Sequence, residues 1–267
     1  MLLVSQFALP LIYACAWPLG PDKSYIGINY SISEYNSIFQ NRTEVNFSPD
    51  KITNESWDLS YYSGLNERDT FVMTTKYSNI GAFQAVPGPA VSQISDTYFG
   101  FKRTYKLGKI STAWEMGYLI AGDYQADKIT SPGYGESEIN FTWHWSKISG
   151  VSKFYSASIR YRKRANIAPN ALQLNFEHGK RIDDKNTARF LIFYDEQLSG
   201  VNLFDPASGW TDFTFHGKDE SQLIGGIGLS HKLNRTWNLN FLIAHKFEGR
   251  NTDASNRSIS IGFGASF

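Results

Sequence analysis

Apolar and polar residues alternate with a period of two along most of this chain. The last ten residues show the pattern without a break. One face carries the apolar side chains of Ile259, Ile261, Phe263, Ala265 and Phe267. The other carries the small residues Ser258, Ser260, Gly262, Gly264 and Ser266. Because successive side chains of a strand point to opposite sides, the pattern predicts a β-strand with one apolar and one small, polar face.

Similar alternation predicts about twelve strands, from a first one near Ser24 to Tyr35 to the terminal one. The connections between them alternate long and short, and short ones such as Asp183-Asp184-Lys185-Asn186 consist of turn residues. Ten or fourteen strands also fit, because each period-two signal is weak by itself. An even number of antiparallel strands would place both termini at the same end of the sheet.

Composition narrows the class of protein. The 267 residues are 19% charged and 15% aromatic, and no run of about 18 apolar residues occurs after the amino terminus. This excludes a helical membrane protein, whereas a membrane β-barrel needs apolar residues only at alternate positions. The formal net charge of +1 gives no indication of nucleic-acid binding.

The amino terminus has the features of a secretion signal. An apolar stretch from Leu2 ends in Ala14-Cys15-Ala16, a small-x-small pattern that suits signal peptidase. We therefore expect residues 1–16 to be a signal peptide and residues 17–267 to be the mature domain. A lipidated Cys15 is the alternative. After cleavage behind Ala16, the mature chain would contain no cysteine and no disulfide.

The terminal strand resembles the closing strand of Gram-negative outer-membrane β-barrels. It ends the chain on Phe267, with Phe263 on the same face and Gly262 five residues before the end. The resemblance implies a transmembrane antiparallel β-barrel in the outer membrane, with short periplasmic turns and long extracellular loops. It also implies that Gly262, Phe263 and Phe267 form the signal read by the barrel-assembly machinery, and that membrane lipid surrounds the barrel.

A secreted β-sandwich or calyx is the soluble alternative to this fold. Two features of the sequence oppose it. Tryptophan and tyrosine cluster at the ends of the predicted strands, as they do at membrane interfaces. The faces opposite the apolar ones carry Gly, Ser and Asn rather than the Lys and Glu of a soluble surface.

The faces predicted to point inward carry most of the charged residues of the strands. The pore-lining candidates are the basic Lys102, Arg160, Arg162, Arg164 and Arg189 and the acidic Glu115, Glu138, Glu177 and Asp195. The three arginines at alternate positions would form a ladder that attracts anions and binds carboxylate or phosphate. In the competing interpretation the charges pair within the lumen, with Glu138 opposite Arg162 and Glu177 close to Arg189.

Three further features carry hypotheses. The long connection from Ser199 to Ser221 holds aromatic residues, so it either constricts the mouth or is an ordinary surface loop. His144-Trp145-Ser146 has the spacing of the outer-membrane phospholipase pair, but both residues are predicted to face the lumen, away from lipid. Arg103 is predicted to point outward, where it would reach the membrane interface or mark a β-bulge.

No metal site, cofactor site or nucleic-acid partner is predicted, because the histidines lack ligand spacing and no phosphate-binding loop is present. The first hypothesis for function is an outer-membrane channel for small polar solutes, with anionic solutes as its sharper version. The second is a closed barrel that acts as a surface-exposed structural or interaction protein. A membrane lipid hydrolase is the third, and it is the weakest because the surrounding phospholipase motif is absent.

Overall fold

A computed structural model describes most of the chain. The described residues are 16–35, 37–40, 42–46, 52–80, 91–107, 109–124, 135–165, 169–199, 220–250, 252–253 and 257–267. Residues 1–15, which hold most of the predicted signal peptide, lie outside them. Residues 200–219, nearly all of the long connection from Ser199 to Ser221, also lie outside the described residues.

Twelve antiparallel strands close into a barrel, as the sequence predicts. They are β1 (Ser24–Tyr35), β4 (Ile52–Gly64), β5 (Asp69–Ile80), β6 (Val91–Leu107), β7 (Ile110–Ala121), β8 (Glu138–Ser149), β9 (Lys153–Arg164), β10 (Asn170–Arg181), β11 (Asn186–Ser199), β12 (Ser221–Lys232), β13 (Trp237–Arg250) and β15 (Arg257–Ser266). Each strand pairs with its neighbours in the chain, and the first strand pairs with the last.

The contact between β1 and β15 closes the barrel and follows the predicted alternation. Ile28 lies opposite Phe263 and Asn29 opposite Gly262 across this seam. Phe263 and Phe267 point outward and are more than half exposed, whereas Gly262 faces the interior beside the Asn29 side chain. The outer wall of the barrel is apolar along all the barrel strands, because the exposed large side chains there are mainly Ile, Leu, Phe, Tyr and Trp.

The two ends of the barrel differ in the length of their connections. At one end, the turn end, neighbouring strands are joined by two to four residues, and both termini also lie there. At the other, the loop end, the connections run from five to twenty-one residues. This alternation of short and long connections is the one that the turn residues in the sequence predict.

Two of the short turns have the same construction. In the turn between β10 and β11, Asp183 Oδ1 accepts hydrogen bonds from the backbone N–H groups of Lys185 and Asn186, both at 2.8 Å. In the turn between β12 and β13, Asn234 Oδ1 accepts from the N–H groups two and three residues later, at 2.8 and 2.9 Å. Asx turns of this kind satisfy backbone donors that the sheet leaves over.

A small second sheet lies at the loop end, which the sequence did not predict. The long connection after β1 contains the hairpin strands β2 (Ser37–Gln40) and β3 (Thr43–Asn46), and the short strand β14 (Thr252–Asp253) pairs with β2. The strands are only two to four residues long, too short for a visible alternation.

One predicted cross-strand register is wrong by two residues, although Arg162 Nη1 still lies 3.9 Å from Glu138 Oε1, as the predicted pairing of these two charges requires. Glu138 lies opposite Arg164, and Arg162 lies opposite Asn140. The turn between β8 and β9 contains three residues and begins with Gly150, whose φ of 65° suits glycine. Centring the turn one residue too early shifts the partner of every residue of β9 by two.

Arg103 points outward as predicted, and it has a partner. Its guanidinium donates two hydrogen bonds of 2.7 Å to the carboxylate of Asp69, the residue directly opposite on β5. The bulge that we considered near Arg103 lies instead between Thr75 and Tyr77 of β5 and their partners on β6. In the part of the chain that the structure describes, no helix is long and apolar enough to cross a membrane.

Candidate functional site

The interior of the barrel divides into three walls with different side chains. We call strands β4–β8 the acidic wall, strands β9–β11 the arginine wall, and strands β12, β13, β15 and β1 the small-residue wall. All nine pore-lining residues predicted from the sequence lie on the first two walls, and eight of them are buried with Arg160 partly exposed. The charged part of the lumen is therefore one continuous face.

Four arginines of the arginine wall lie inside the barrel, and three of them are paired with carboxylates. Arg162 Nη2 donates to both carboxylate oxygens of Asp195, at 2.8 and 2.7 Å. Arg164 Nε donates to Glu138 Oε1 at 2.7 Å. These two guanidinium groups are 5% exposed or less. Buried ion pairs of this kind hold their partners in place and leave little free charge for a solute.

Arg189 makes the third pair. Its Nε donates to Glu177 Oε1 at 3.1 Å, and both side chains are buried. This is the contact expected from the sequence, because Arg189 lies opposite Gly179 and diagonal to Glu177. The pairing interpretation of the lumen charges therefore describes three of the four arginines.

Arg160 differs from the other arginines of its wall. Its Nε donates to Thr142 Oγ1 at 2.9 Å, but its closest approach to a carboxylate is 3.8 Å, from Nη2 to Glu115 Oε1. The side chain is 19% exposed, compared with 5% or less for Arg162, Arg164 and Arg189. Its guanidinium also lies 5.7 Å from the centre of the Tyr98 ring. Of the ladder that we predicted, this member is the most open to a solute.

Glu115 connects the acidic wall to Arg160. Tyr98 donates from its hydroxyl to Glu115 Oε1 at 2.7 Å, and His144 Nε2 lies 3.5 Å from Glu115 Oε2. Gly100 and Gly117 flank the Tyr98 ring so closely that a Cβ at either position would lie under 3 Å from it. The two glycines make room for the tyrosine that orients this carboxylate.

A second group of charges lies toward the loop end of the acidic wall. Asp58 lies opposite Lys76 on the neighbouring strand, and both face the interior. Asp96 accepts hydrogen bonds from the Tyr124 hydroxyl at 2.8 Å and from the Gly122 N–H at 3.3 Å. Burial raises the pKa of Tyr124, which follows the end of β7, so its hydroxyl keeps the proton that it donates.

The small-residue wall carries little charge. Lys246 is the one buried charged residue among the described residues of its four strands. Hydroxyl and amide groups bond to each other here, as in Ser31 Oγ with Ser260 Oγ at 2.7 Å. Leu191 and Phe193 of the arginine wall pack against three apolar residues of this wall, Ile224, Leu242 and Ala244. This side of the interior is filled by apolar and small side chains.

A cavity of about 160 Å³ lies between the acidic and the arginine walls. Its polar lining includes Asp58, Lys76, Asp96, Glu115 and Arg160. Its apolar lining comes mainly from Tyr62, Val72, Leu119 and Leu191. All of its lining residues belong to strands β4–β11, so the small-residue wall does not contribute to it.

The residues before β1 lie across the turn-end mouth of the barrel. Ala16 is fully buried, and its backbone N–H donates to Ser146 Oγ at 3.0 Å. The Trp17 ring meets the inward-facing Phe154 ring edge-on at 6.0 Å. Leu19 packs on the cluster of Tyr25, Tyr62, Val72 and Tyr98. The segment from 16 to 19 thus reaches from strands β8 and β9 to strands β4–β6 and narrows this mouth.

The arrangement offers no support for a hydrolase. His144 and Ser146 both face the lumen as predicted, but neither ring nitrogen of His144 has a hydrogen-bond partner among the described residues. Ser146 donates instead to Ser156 Oγ at 3.3 Å. Among the residues that the structure describes, no group of three or more His, Cys, Asp or Glu side chains could hold a metal ion.

Two residues of the cavity were missed in the sequence. Asp96 and Tyr98 lie in the first half of β6. The bulge in the pairing of β5 with β6 lets both Ser95 and Asp96 be buried, which breaks the alternation there. Tyr98 continues the inward series of Gly100 and Lys102, and that series was the signal that could have identified it.

No protein-family model matches this sequence, and no sequence match is found among the curated proteins. Solved structures with the same fold do exist. The chain is similar to the COG4313 outer membrane channel from Pseudomonas putida F1, with 12% identity and a TM-score of 0.79, over 97% of this chain and 100% of that one.

Two further structures are similar at lower scores. A KdgM porin in complex with disordered oligogalacturonate has 10% identity and a TM-score of 0.51, over 90% of this chain and 99% of that one. The CymD monoaromatic hydrocarbon channel has 8% identity and a TM-score of 0.52, over 92% of this chain and 89% of that one. The barrel is therefore of the type found in bacterial outer-membrane channels.

Proposed function

We propose that this protein is an outer-membrane channel for small polar solutes. The observation that carries the proposal is a cavity lined by charged and polar side chains, inside a closed barrel whose outer wall is apolar. An apolar outer wall suits lipid, and a hydrophilic interior suits water and solutes. The short turns would face the periplasm and the long loops the outside.

The structures with a similar barrel support a channel and leave the solute open. One of them is described with an oligogalacturonate and another as a channel for monoaromatic hydrocarbons. A fold that accepts both cannot identify the solute, so the side chains of the lumen have to. In this chain they are charged on two of three walls, which favours polar solutes.

The ion pairs argue against a strongly anion-selective pore. Arg162 and Arg164 each have a carboxylate within hydrogen-bond distance, so two of the three arginines of the ladder are neutralised. Arg160 is the member that would act on a passing anion. The anionic version of the proposal therefore rests on Arg160 rather than on the whole ladder.

Single-channel conductance of the refolded protein in a planar bilayer tests the proposal. We expect steady conductance steps, and larger steps in a variant that lacks residues 17–20, because this segment narrows the turn-end mouth. A variant with Arg235→Ser, an exposed change in a turn, serves as the control and should conduct like the wild type. If both the wild type and the shortened variant are folded and silent, the barrel is closed, and its external loops become the candidate for an interaction function.

The membrane and assembly partners are proposals too. Lipid would contact the apolar outer wall, and Gly262, Phe263 and Phe267 would guide assembly into the outer membrane. Replacing Phe267 with Ser should lower the fraction of barrel assembled in cells, measured by heat-modifiable migration in gels. Unchanged assembly would show that the machinery reads another part of the chain.

We also propose cleavage between Ala16 and Trp17. Residues 17–267 would then contain the whole barrel and most of the segment that narrows the mouth. Amino-terminal sequencing of protein isolated from the outer membrane should begin at Trp17. A lipid-modified Cys15 at the amino terminus would contradict cleavage at this bond.

A further inference from the structure

The charges of the two walls that enclose the cavity are unequal. The arginine wall carries four guanidinium groups, from Arg160, Arg162, Arg164 and Arg189, against the carboxylates of Glu177 and Asp195. This is an excess of two positive charges. The exposed Arg181, at the turn-end mouth, is left out of this count.

The acidic wall has the opposite excess. Its interior charges are four carboxylates, Asp58, Asp96, Glu115 and Glu138, against the ammonium groups of Lys76 and Lys102. The exposed Lys106, at the turn-end mouth, is again left out. The two walls together are neutral. One pair of opposite charges, Glu138 of β8 and Arg164 of β9, meets at the border between the walls. The remaining side chains leave one positive charge in excess on the arginine wall and one negative charge in excess on the acidic wall. An electric field therefore runs across the lumen rather than along it.

Such a lumen discriminates between solutes by the arrangement of their charge. A net anion is attracted by the arginine wall and repelled by the acidic wall, and a net cation is repelled by the first and attracted by the second. A zwitterion can turn its anionic group to the arginine wall and its cationic group to the acidic wall, so both of its charges are attracted. It also brings no net charge into a neutral interior, which lowers the cost of leaving water.

The cavity also limits the size of the solute. Its volume of about 160 Å³ is close to that of a cavity that holds benzene, about 150 Å³. This is room for one solute of the size of a small amino acid. Arg160 offers the open guanidinium on one side, with its Nη2 not hydrogen-bonded to Glu115, and Asp58 lies on the opposite wall.

We infer that the cavity is a selective site for compact zwitterions, which bind with their oxyanion group on Arg160 and their cationic nitrogen toward the acidic wall. The inference rests on the proposed channel function and names the class of solute that passes. Planar, forked guanidinium groups bind oxyanions with two hydrogen bonds, which would fix the orientation of the solute.

Four solutes of similar size test this inference. Taurine is a zwitterion, isethionate is its anionic counterpart with a hydroxyl in place of the ammonium group, choline is a cation and glycerol is neutral. We would measure the uptake of each radiolabelled solute into vesicles containing the refolded protein, corrected for protein-free vesicles. Taurine is expected to enter fastest among the three charged solutes.

Substitutions on each wall give the specific readout. Arg160→Ser should slow taurine uptake about tenfold, the effect of losing one charge-assisted contact, and leave glycerol uptake unchanged. Arg160→Lys keeps the positive charge, so its rate of taurine uptake should lie between those of Arg160→Ser and the wild type. Asp58→Asn weakens the opposite wall and should raise isethionate uptake relative to taurine. Arg235→Ser, in an exposed turn, is the matched control and should match the wild type.

The outcomes separate this inference from the channel itself. If glycerol enters but taurine, isethionate and choline enter at equal rates that Arg160→Ser does not change, the channel stands and the zwitterion site is wrong. If nothing enters, the binding of radiolabelled taurine to the folded protein in detergent decides. Binding that Arg160→Ser abolishes would keep the site and reject the channel, and no binding would reject both.

Discussion

The charged walls and the small-residue wall of the barrel interior are built in different ways. On strands β4–β11, long charged side chains reach across neighbouring strands and pair, as Arg162 does with Asp195 two strands away. On strands β12, β13, β15 and β1, serine, glycine and asparagine leave room for single large side chains such as the fully buried Tyr25. Ion pairs stabilise the charged walls, and close packing stabilises the small-residue wall.

This difference shows which strands can contact a solute. The cavity is lined by the charged walls alone, so the small-residue wall acts as a scaffold that lets the barrel close. Closure takes place on that wall, where β1 meets β15. Solute contact is thus confined to strands β4–β11, whereas both sides contribute to stability, the charged walls through ion pairs and the small-residue wall through packing.

The largest effect on stability is expected when a buried pair of the charged walls is broken. Glu138→Ala would remove the carboxylate that lies 2.7 Å from the buried Arg164 guanidinium, and with it the counter-charge of that pair. Removing one partner of a buried ion pair costs about 3–5 kcal/mol. Urea unfolding of the barrel in lipid vesicles measures this loss.

Glu67→Ala is the control for Glu138→Ala. It makes the same substitution in an exposed turn and should leave the unfolding midpoint near that of the wild type. Equal stability of the two variants would show that the lumen pairs do not hold the charged walls together.

A smaller effect is expected when shape is disturbed on the small-residue wall. Gly264→Ala would bring a Cβ within 1.9 Å of the Tyr25 hydroxyl, which has no room to move because Tyr25 is fully buried. Overpacking of this kind costs about 1–3 kcal/mol. The same unfolding experiment applies.

A double variant makes this test specific. Tyr25→Ala combined with Gly264→Ala should lose less stability than the sum of the two single changes, because the clash is gone. Strictly additive losses of stability would mean that Tyr25 and residue 264 are not in contact, and would contradict close packing on the small-residue wall.

The smallest effect is expected at the turns, where the two sides can be compared directly. The Asp183 turn joins charged strands and the Asn234 turn joins strands of the small-residue wall, with the same backbone hydrogen bonds. Hydrogen bonds from Asn186 and from the backbone N–H groups of Lys185 and Asn186 lower the pKa of Asp183 below 3.8. Asn234 does not titrate.

Acid should therefore destabilise the Asp183 turn and leave the Asn234 turn unchanged. Because the pKa of Asp183 is lower in the folded state, its contribution is fully present above pH 3.8 and is lost as the pH falls through the lowered value. Amide exchange at Lys185 and Asn186 should speed up in acid relative to Thr236 and Trp237. Asp183→Asn should remove the difference, and equal responses of both turns would contradict it.

Much of the fold could be predicted from alternation and turn residues. Strand number, the alternation of short and long connections, and the outward positions of Phe263 and Phe267 follow from local sequence, because a period of two is a property of the strand itself. The small sheet of β2, β3 and β14 could not be predicted, since strands of two to four residues carry no readable period.

The site was harder to predict for a physical reason. Which strand an arginine lies on can be read from the sequence, but its partner depends on the register of the hairpin, and a turn centred one residue later moved Glu138 from Arg162 to Arg164. The pair of Arg162 with Asp195 crosses a whole strand. The inward position of Asp96 could not be predicted, because it depends on a bulge that the local alternation of residues does not indicate.

A conducting barrel with these side chains would have a lumen that is neutral overall, with Arg160 as its most open positive charge. The reversal potential of single channels in a potassium chloride gradient tests this most directly. The account predicts a wild-type value close to zero, and a shift toward cation selectivity in Arg160→Ser but not in Arg235→Ser. A strongly anion-selective wild type that Arg160→Ser leaves unchanged would contradict it.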